Sequence, residues 1–306
     1  MALDTAKAEV ILRDLTVKFD NAVASATPFY PQVCTTVDST GRDEKYAMLG
    51  NMPGVREWIG DREVKQLRAA DFTLENKHWE STLGISKRDI RDDRMGLYGP
   101  LLEQLAAEAT YHPDELLFNL LDNGGSTLCF DGQNFYDTDH VWGDSGTQSN
   151  IVAESITTAN APTGDEFKAS FHAARTRMMS LKNDQGKYMN RSVFAKMSNF
   201  MAIVPPNMEL AAREALQAAL VGGGNSNIVI DVPEIVTSPL LTSDTSWHLL
   251  NLAAPLKPFV FQNRQPLVRQ IKGLEDHYVK DVAFLTEAEY EVGVLAWYTA
   301  ARVDFS

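Results

Sequence analysis

Apolar residues in the first 26 positions recur at helical spacing: Ile11, Leu15, Phe19, Ala22 and Val23 share one face, and neither Gly nor Pro interrupts residues 2–26. The pattern predicts an amphipathic helix whose apolar stripe needs cover. Pro28 and Pro31 end it. The chain to about residue 50 then reads as an extended connector, so that the whole segment is an N-terminal arm. From Pro53 to Asp93 charges of both signs crowd the sequence, and short alternating stretches at Phe72–Leu74 and Leu83–Ile85 predict strands. A two-stranded ribbon of this kind is marginal in water by itself. Arm and ribbon together are expected to need neighbouring subunits to bury them.

Helical periodicity returns with Leu97, Leu101, Leu105 and Ala109, preceded by Asp92 or Asp93 as the cap. A second helix is expected to start at His112-Pro113-Asp114, carry Leu116, Leu117, Leu120 and Leu121, and stop at Gly124-Gly125. After a turn-rich stretch around residues 129–150, Thr163 and Glu166 form a capping-box pattern that opens a helix with Phe167, Phe171, Ala174 and Met178 as its buried stripe. Phe200–Pro206 reads as a buried strand. Asn207 is expected to cap the next helix, Gly222-Gly223-Gly224 to end it, and a strand through residues 227–232 to complete a strand-helix-strand unit. The last third is mostly strand, in pieces at residues 247–252, 257–262, 278–285 and 290–298. The fold class is α+β.

The 306 residues are 44% hydrophobic, enough for a sizeable core, and no apolar run approaches the roughly 18 residues a membrane span needs. The N-terminus MALDTAKAEV lacks the order of a signal peptide. Counts of 28 Lys plus Arg against 41 Asp plus Glu give a formal charge of −13, which disfavours sequence-independent binding to nucleic acid. The two cysteines, Cys34 and Cys129, lie outside any CxxC pattern.

Candidate chemistry is sparse. Asp137, Asp139 and His140 in DTDH carry the side chains of a divalent-metal site, and a metal-dependent hydrolase is the reading they would support. Asp and His gather equally well in turns, where their side chains bond the local backbone. Cys129 near His140 could be a thiol nucleophile, but a lone Cys between Leu128 and Phe130 fits a small buried hydrophobe. The glycine run at residues 222–224 follows a helix and lacks a phosphate loop's Gly-Lys-Ser/Thr ending. No cofactor is expected.

Two stretches carry a family resemblance. REWIGDREVKQLRAADFTLENKHWESTLGISKRDIRDDRMGLYGP and HPDELLFNLLDNGGSTLCFDGQNFYDTDH resemble the hallmark regions of Mu-like major head subunits, in matching order and across nearly the whole chain. The resemblance implies an HK97-like capsid-protein fold. Residues 1–45 would form the N-arm, 46–92 the extended loop, 93–198 most of a peripheral domain with a spine helix at about 93–110, 199–265 an axial domain, and 266–306 strands returning to the peripheral domain. The protein would be a non-enzymatic major capsid protein that assembles with itself as pentamers and hexamers into an icosahedral head. An encapsulin-like compartment is the related alternative. A separate scaffolding protein, a portal and a possible decoration protein are implied as partners, with double-stranded DNA enclosed without specific binding. The place of assembly would be the host cytoplasm, and the destination the virion. In the loop, Trp58, Arg62, Lys65, Arg68, Glu75, Lys77, Trp79 and Glu80 are expected to contact neighbouring subunits, and Ile11, Leu15 and Phe19 to pack the N-arm.

Overall fold

The structure is a computed structural model that describes residues 5–49, 69–92, 94–189, 196–217, 220–221, 225–226, 232–274 and 280–306. In chain order its elements are α1 (Thr5–Ser25), α2 (Tyr30–Val33), β1 (Cys34–Asp38), β2 (Asp43–Leu49), β3 (Ala69–Glu75), β4 (Lys77–Ser86), α3 (Lys87–Arg91), α4 (Tyr98–Asp122), β5 (Ile151–Glu154) and α5 (Gly164–Ser180). There follow β6 (Phe200–Val204), α6 (Glu209–Leu216), β7 (Leu220–Val221), β8 (Asn225–Ser226), β9 (Glu234–Thr237), β10 (Ser246–Asn251), β11 (Phe259–Lys272), β12 (Asp281–Val294) and β13 (Ala300–Phe305). A four-stranded sheet runs β1-β11-β12-β4 and a five-stranded sheet β5-β13-β10-β6-β9, with β2-β3 and β7-β8 as two-stranded ribbons.

The five-stranded sheet and helices α5 and α6 enclose one core. Thr163 accepts the Glu166 N–H while Glu166 accepts the Thr163 N–H, the reciprocal cap expected of that pair. It launches α5 with Phe167, Phe171, Ala174 and Met178 fully buried against Trp247 and Val303. Strand β6 is buried along its whole length and lies parallel to β9 across α6. The strand parallel to β6 is Glu234–Thr237, whereas the closing strand expected at residues 227–232 lies, but for Val232, outside the described residues. Asn207 does not cap α6. Its side-chain amide donates to the carbonyls of Asn160 and Asp244, tying two loops together instead.

Three other expectations are corrected along the first half. No break occurs at His112: α4 is continuous, with Pro113 inside it. An internal proline forfeits one hydrogen bond and costs about 3 kcal/mol. Here the helix is held on both sides of it, by Leu102 and Ala106 in one core and by Leu117, Phe118 and Leu121 in another. Asp92 is not the cap of this helix, since it ends α3, and Leu97 occupies the start of α4 without a side-chain cap. The buried seam of α4 is also not Leu97, Leu101, Leu105 and Ala109. A strict four-residue row drifts about 40° per step, so Leu97 and Leu101 are exposed and Leu102, Ala106, Leu117 and Leu121 face the core.

The N-terminal arm finds its cover at home. Ala8, Leu12, Leu15 and Phe19 are buried against Leu102 and Ala106 of α4, Ile85 of β4 and Phe284 of β12, and Ile11 is half-buried beside them. The Phe19 and Phe284 rings are 5.2 Å apart, and Asp20 pairs with Arg269 of β11 at 2.7 Å. Beyond α1, the Asp114 carboxylate accepts the backbone N–H groups of Phe29 and Tyr30 at 2.8 and 2.7 Å. The expectation that the arm must wait for a neighbour fails because the long β11-β12 hairpin extends far enough to form its floor.

Candidate assembly surface

Strand pairing settles what the charged region after β1 does. Residues Asp43–Leu49 and Ala69–Glu75 pair in register as an antiparallel ribbon, and its tip, residues 50–68, lies outside the described residues with Trp58, Arg62, Lys65 and Arg68. The root of the ribbon is docked on the four-stranded sheet. Tyr46 donates to Gln262 Oε1 at 2.7 Å and stacks on Phe72, while Gln262 Nε2 donates to the Leu74 carbonyl. Gly293 of β12 admits the close approach, because a Cβ there would meet the Leu74 methyls at 3.0 Å.

Past Asn76 the chain enters β4, which pairs with β12 over its full length and forms one edge of the sheet. Lys77–Ser86, part of the loop in the sequence reading, is thus a sheet strand here. Among the expected contact residues, Glu75 is exposed and paired with Arg42, whose Nε donates at 2.7 Å, and Lys77 pairs with Glu291 at 2.8 Å. Glu80 is exposed and stands opposite Glu287 in the β-ladder. Within the chain Trp79 is held by two contacts. Its indole N–H donates to the Tyr290 carbonyl at 3.0 Å, and its ring centroid is 4.3 Å from that of His112. Side chains alternate along a strand, so Trp79 faces α4 while Glu80 faces away.

Where Trp79 meets α4 the packing leaves a cleft of about 190 Å³, walled by Trp79, Leu105, Ala109, Leu267, Ala288 and Tyr290. At its base His112 Nδ1 and the Tyr290 hydroxyl share a 2.7 Å hydrogen bond, and burial raises the Tyr290 phenol well above its usual range. Of the cleft residues, Trp79 and Glu80 were expected contact residues and Leu105, Ala109 and His112 entered only as helix positions, while Leu267, Ala288 and Tyr290 were not singled out from sequence. The readable signal was the small Ala109 and Ala288 among larger apolar neighbours, which marks where two elements fail to meet.

The candidate chemistry dissolves on inspection. His140 turns away from DTDH to Asp131, 2.7 Å from its Nδ1, and lies flat on Trp297 with centroids 3.8 Å apart; the side chains of both His140 and Asp131 are fully buried. Asp137 accepts the backbone N–H groups of Thr138 and Asn134, the turn-bonding role. Among the described residues no group of three or more His, Cys, Asp or Glu side chains could hold a metal. Cys34 and Cys129 are buried, and burial pushes both thiols far above the range of a nucleophile. No helix among the described residues is long and apolar enough to cross a membrane.

Comparison with known proteins places this arrangement. Residues 9–163 and 164–241 match the family described as Mu-like prophage major head subunit gpT. The chain is 42% identical over 151 residues to the Mu-like prophage FluMu major head subunit of Haemophilus influenzae, covering 47% of this chain and 49% of that one. It is 34% identical over 140 residues to the major capsid protein of Escherichia phage Mu, covering 46% of each. The chain thus spans about half the length of these curated relatives. Among solved structures it resembles a chain of the bacteriophage JBD30 procapsid at a TM-score of 0.57 and 26% identity, over 98% of this chain and 75% of that one.

Proposed function

Because the chain belongs to the family of Mu-like prophage major head subunits and has the HK97-like capsid-protein fold, we propose that it is the major capsid protein of a tailed phage, a shell subunit without catalytic activity. The family match across residues 9–241 carries the reading. In this reading the subunit self-assembles as pentamers and hexamers into an icosahedral head around double-stranded DNA. Closed shells repeat heterologous contacts, in which one surface of a subunit meets a different surface of the next. The docked root of the β2-β3 ribbon supports this, since Tyr46 and Gln262 hold it firmly on its own sheet.

The ribbon tip with Trp58, Arg62, Lys65 and Arg68 is the contact element, joined by Glu75, Lys77 and Glu80 at its base. Exposed ion pairs contribute about 0–1 kcal/mol each, so assembly rests on many such contacts together. The segment boundaries proposed are the arm at 1–45, the extended loop at 46–92 with β4 as its sheet-bound stem, the peripheral domain at 93–198 and 266–306, and the axial domain at 199–265. A scaffolding protein, a portal and a decoration protein are the further partners, and the net charge of −13 suits a wall that lets DNA slide. Purified full-length chain, alone and with a scaffold, should give shells, rings or tubes by electron microscopy. A monodisperse monomer under all conditions would refute the reading.

A further inference from the structure

We propose that the cleft between α4 and strands β4 and β12 is a binding site for a free small molecule that joins one aromatic ring to a primary ammonium group. The inference goes beyond the shell-subunit reading and does not depend on it. Size sets the apolar half of the ligand. The cleft holds about 190 Å³, and an apolar cavity of about 150 Å³ takes one benzene ring. One ring with a short substituent therefore fits, whereas the backbone of an inserted peptide does not. Trp79, Leu105, Leu267, Ala288 and Tyr290 offer that ring aromatic and aliphatic contacts. The base is fixed in advance. The Trp79 and His112 rings lie 4.3 Å apart, each within 6.1 Å of Tyr290, and the 2.7 Å bond between His112 and Tyr290 ties α4 to β12. A preformed pocket spares the ligand the entropy of ordering side chains.

Charge and hydrogen bonding set the polar half. Of the two acids that line the cleft, Glu80 turns its side chain away with the alternation of β4, and Glu108 stands exposed on the α4 wall. No Lys or Arg lines the cleft. Lys77 lies 6.0 Å from the Trp79 ring centroid, but it is paired with Glu291 at 2.8 Å. Beside Glu108, the Ala109 carbonyl loses its regular helical donor, because the residue four places on is Pro113, which has no N–H. A carboxylate and a spare carbonyl both accept hydrogen bonds, and neither donates. An ammonium group, with three donors and a positive charge, suits both. A ligand carboxylate suits neither.

The test uses the full-length chain as free subunits, with alanine methyl groups labelled with carbon-13, so shell formation plays no part in the outcome. Benzylamine is the probe. It should shift the Ala109 and Ala288 methyl signals saturably, with a Kd on the order of 1 mM, as suits so small a ligand. Phenylacetate, which keeps the ring and reverses the charge, and n-butylamine, which keeps the ammonium without the ring, should each bind at least about tenfold more weakly. Glu108→Gln should weaken benzylamine by about two- to fivefold, the range of an exposed ion pair. Ala109→Trp, which fills the cleft, should abolish the Ala288 shift in a chain whose circular dichroism is unchanged, and Ala109→Ser should leave it. Shifts that never saturate, phenylacetate or n-butylamine binding as tightly as benzylamine, unchanged affinity in Glu108→Gln, or an Ala288 shift that survives Ala109→Trp would each overturn the proposal. If Ala109→Trp does not fold, the three probes on the parent chain still decide it.

Discussion

Phe19→Ala is the sharpest probe of how the N-terminal arm is held. Phe19 is 2% exposed, its ring lies 5.2 Å from Phe284, and it sits in one cluster with Leu12, Leu15, Leu102 and Val282. Truncating a buried phenylalanine to alanine costs about 3–5 kcal/mol, the lost transfer energy plus the cavity left behind. Because α1 is a terminal element docked on a sheet that is otherwise complete, the cost should appear as local opening and not as global unfolding. At 1.4 kcal/mol per decade, amide hydrogen exchange in Thr5–Ser25 should accelerate by roughly two to three and a half powers of ten. Exchange in β6 and β10, on the far core, should stay as in the parent chain. Val17→Ala on the same helix, where Val17 is 49% exposed, should change stability by less than about 0.5 kcal/mol. An acceleration below tenfold in α1 would refute the argument. So would a parent monomer whose α1 already exchanges freely and becomes protected only in assembled particles, since the arm would then depend on a neighbour after all.

Three further outcomes are expected. His248 is fully buried against Tyr136, and burial, aided by the nearby Arg302 guanidinium, lowers it to about 3. Between its unfolded value near 6.5 and that value the unfolded chain binds a proton that the folded chain does not, so stability falls with pH by about 2 kcal/mol from pH 7.5 to 5. Urea midpoints of His248→Gln should be lower at pH 7.5 yet flatter across that window, and an unchanged slope would rule the group out. Gly143 has φ +58°, and a Cβ there would stand 2.7 Å from the Asp184 carbonyl oxygen, so Gly143→Ala should cost about 1–3 kcal/mol. Gly132→Ala, at φ +83° in open space, should cost only about 1 kcal/mol; equal melting shifts would contradict the steric part. Trp79→Ala should destabilise the isolated chain by about 2 kcal/mol or more through its lost bond to Tyr290 and its packing on His112. Intact stability with lost assembly would return Trp79 to the interface.

Much of this protein was legible wherever a local period coincides with the final environment. The α5 stripe, its Thr163–Glu166 cap, the buried β6 and the strand character of Phe72–Leu74 and Leu83–Ile85 follow from spacing, because each depends on neighbours within a turn or a pleat. The family resemblance was legible for a related reason, since it lies in contiguous stretches such as ENKHWESTLGISKRDIRDD. What lay beyond the sequence was every question of partner. Whether Pro113 ends a helix depends on cores formed by β11, β12 and the arm, more than a hundred residues away on one side. Whether Leu101 or Leu102 faces inward depends on the angle at which α1 and the sheet meet α4. His140 sits three residues from Asp137 yet pairs with Asp131, because stacking on Trp297 fixes the direction of its ring. Trp79 looked like a surface anchor in a charged ribbon until β12, two hundred residues later, supplied the Tyr290 carbonyl for its indole. Local patterns set which elements form; burial of one face against a distant element, an energy no short window contains, decided which side of each element became core and which was left for another subunit.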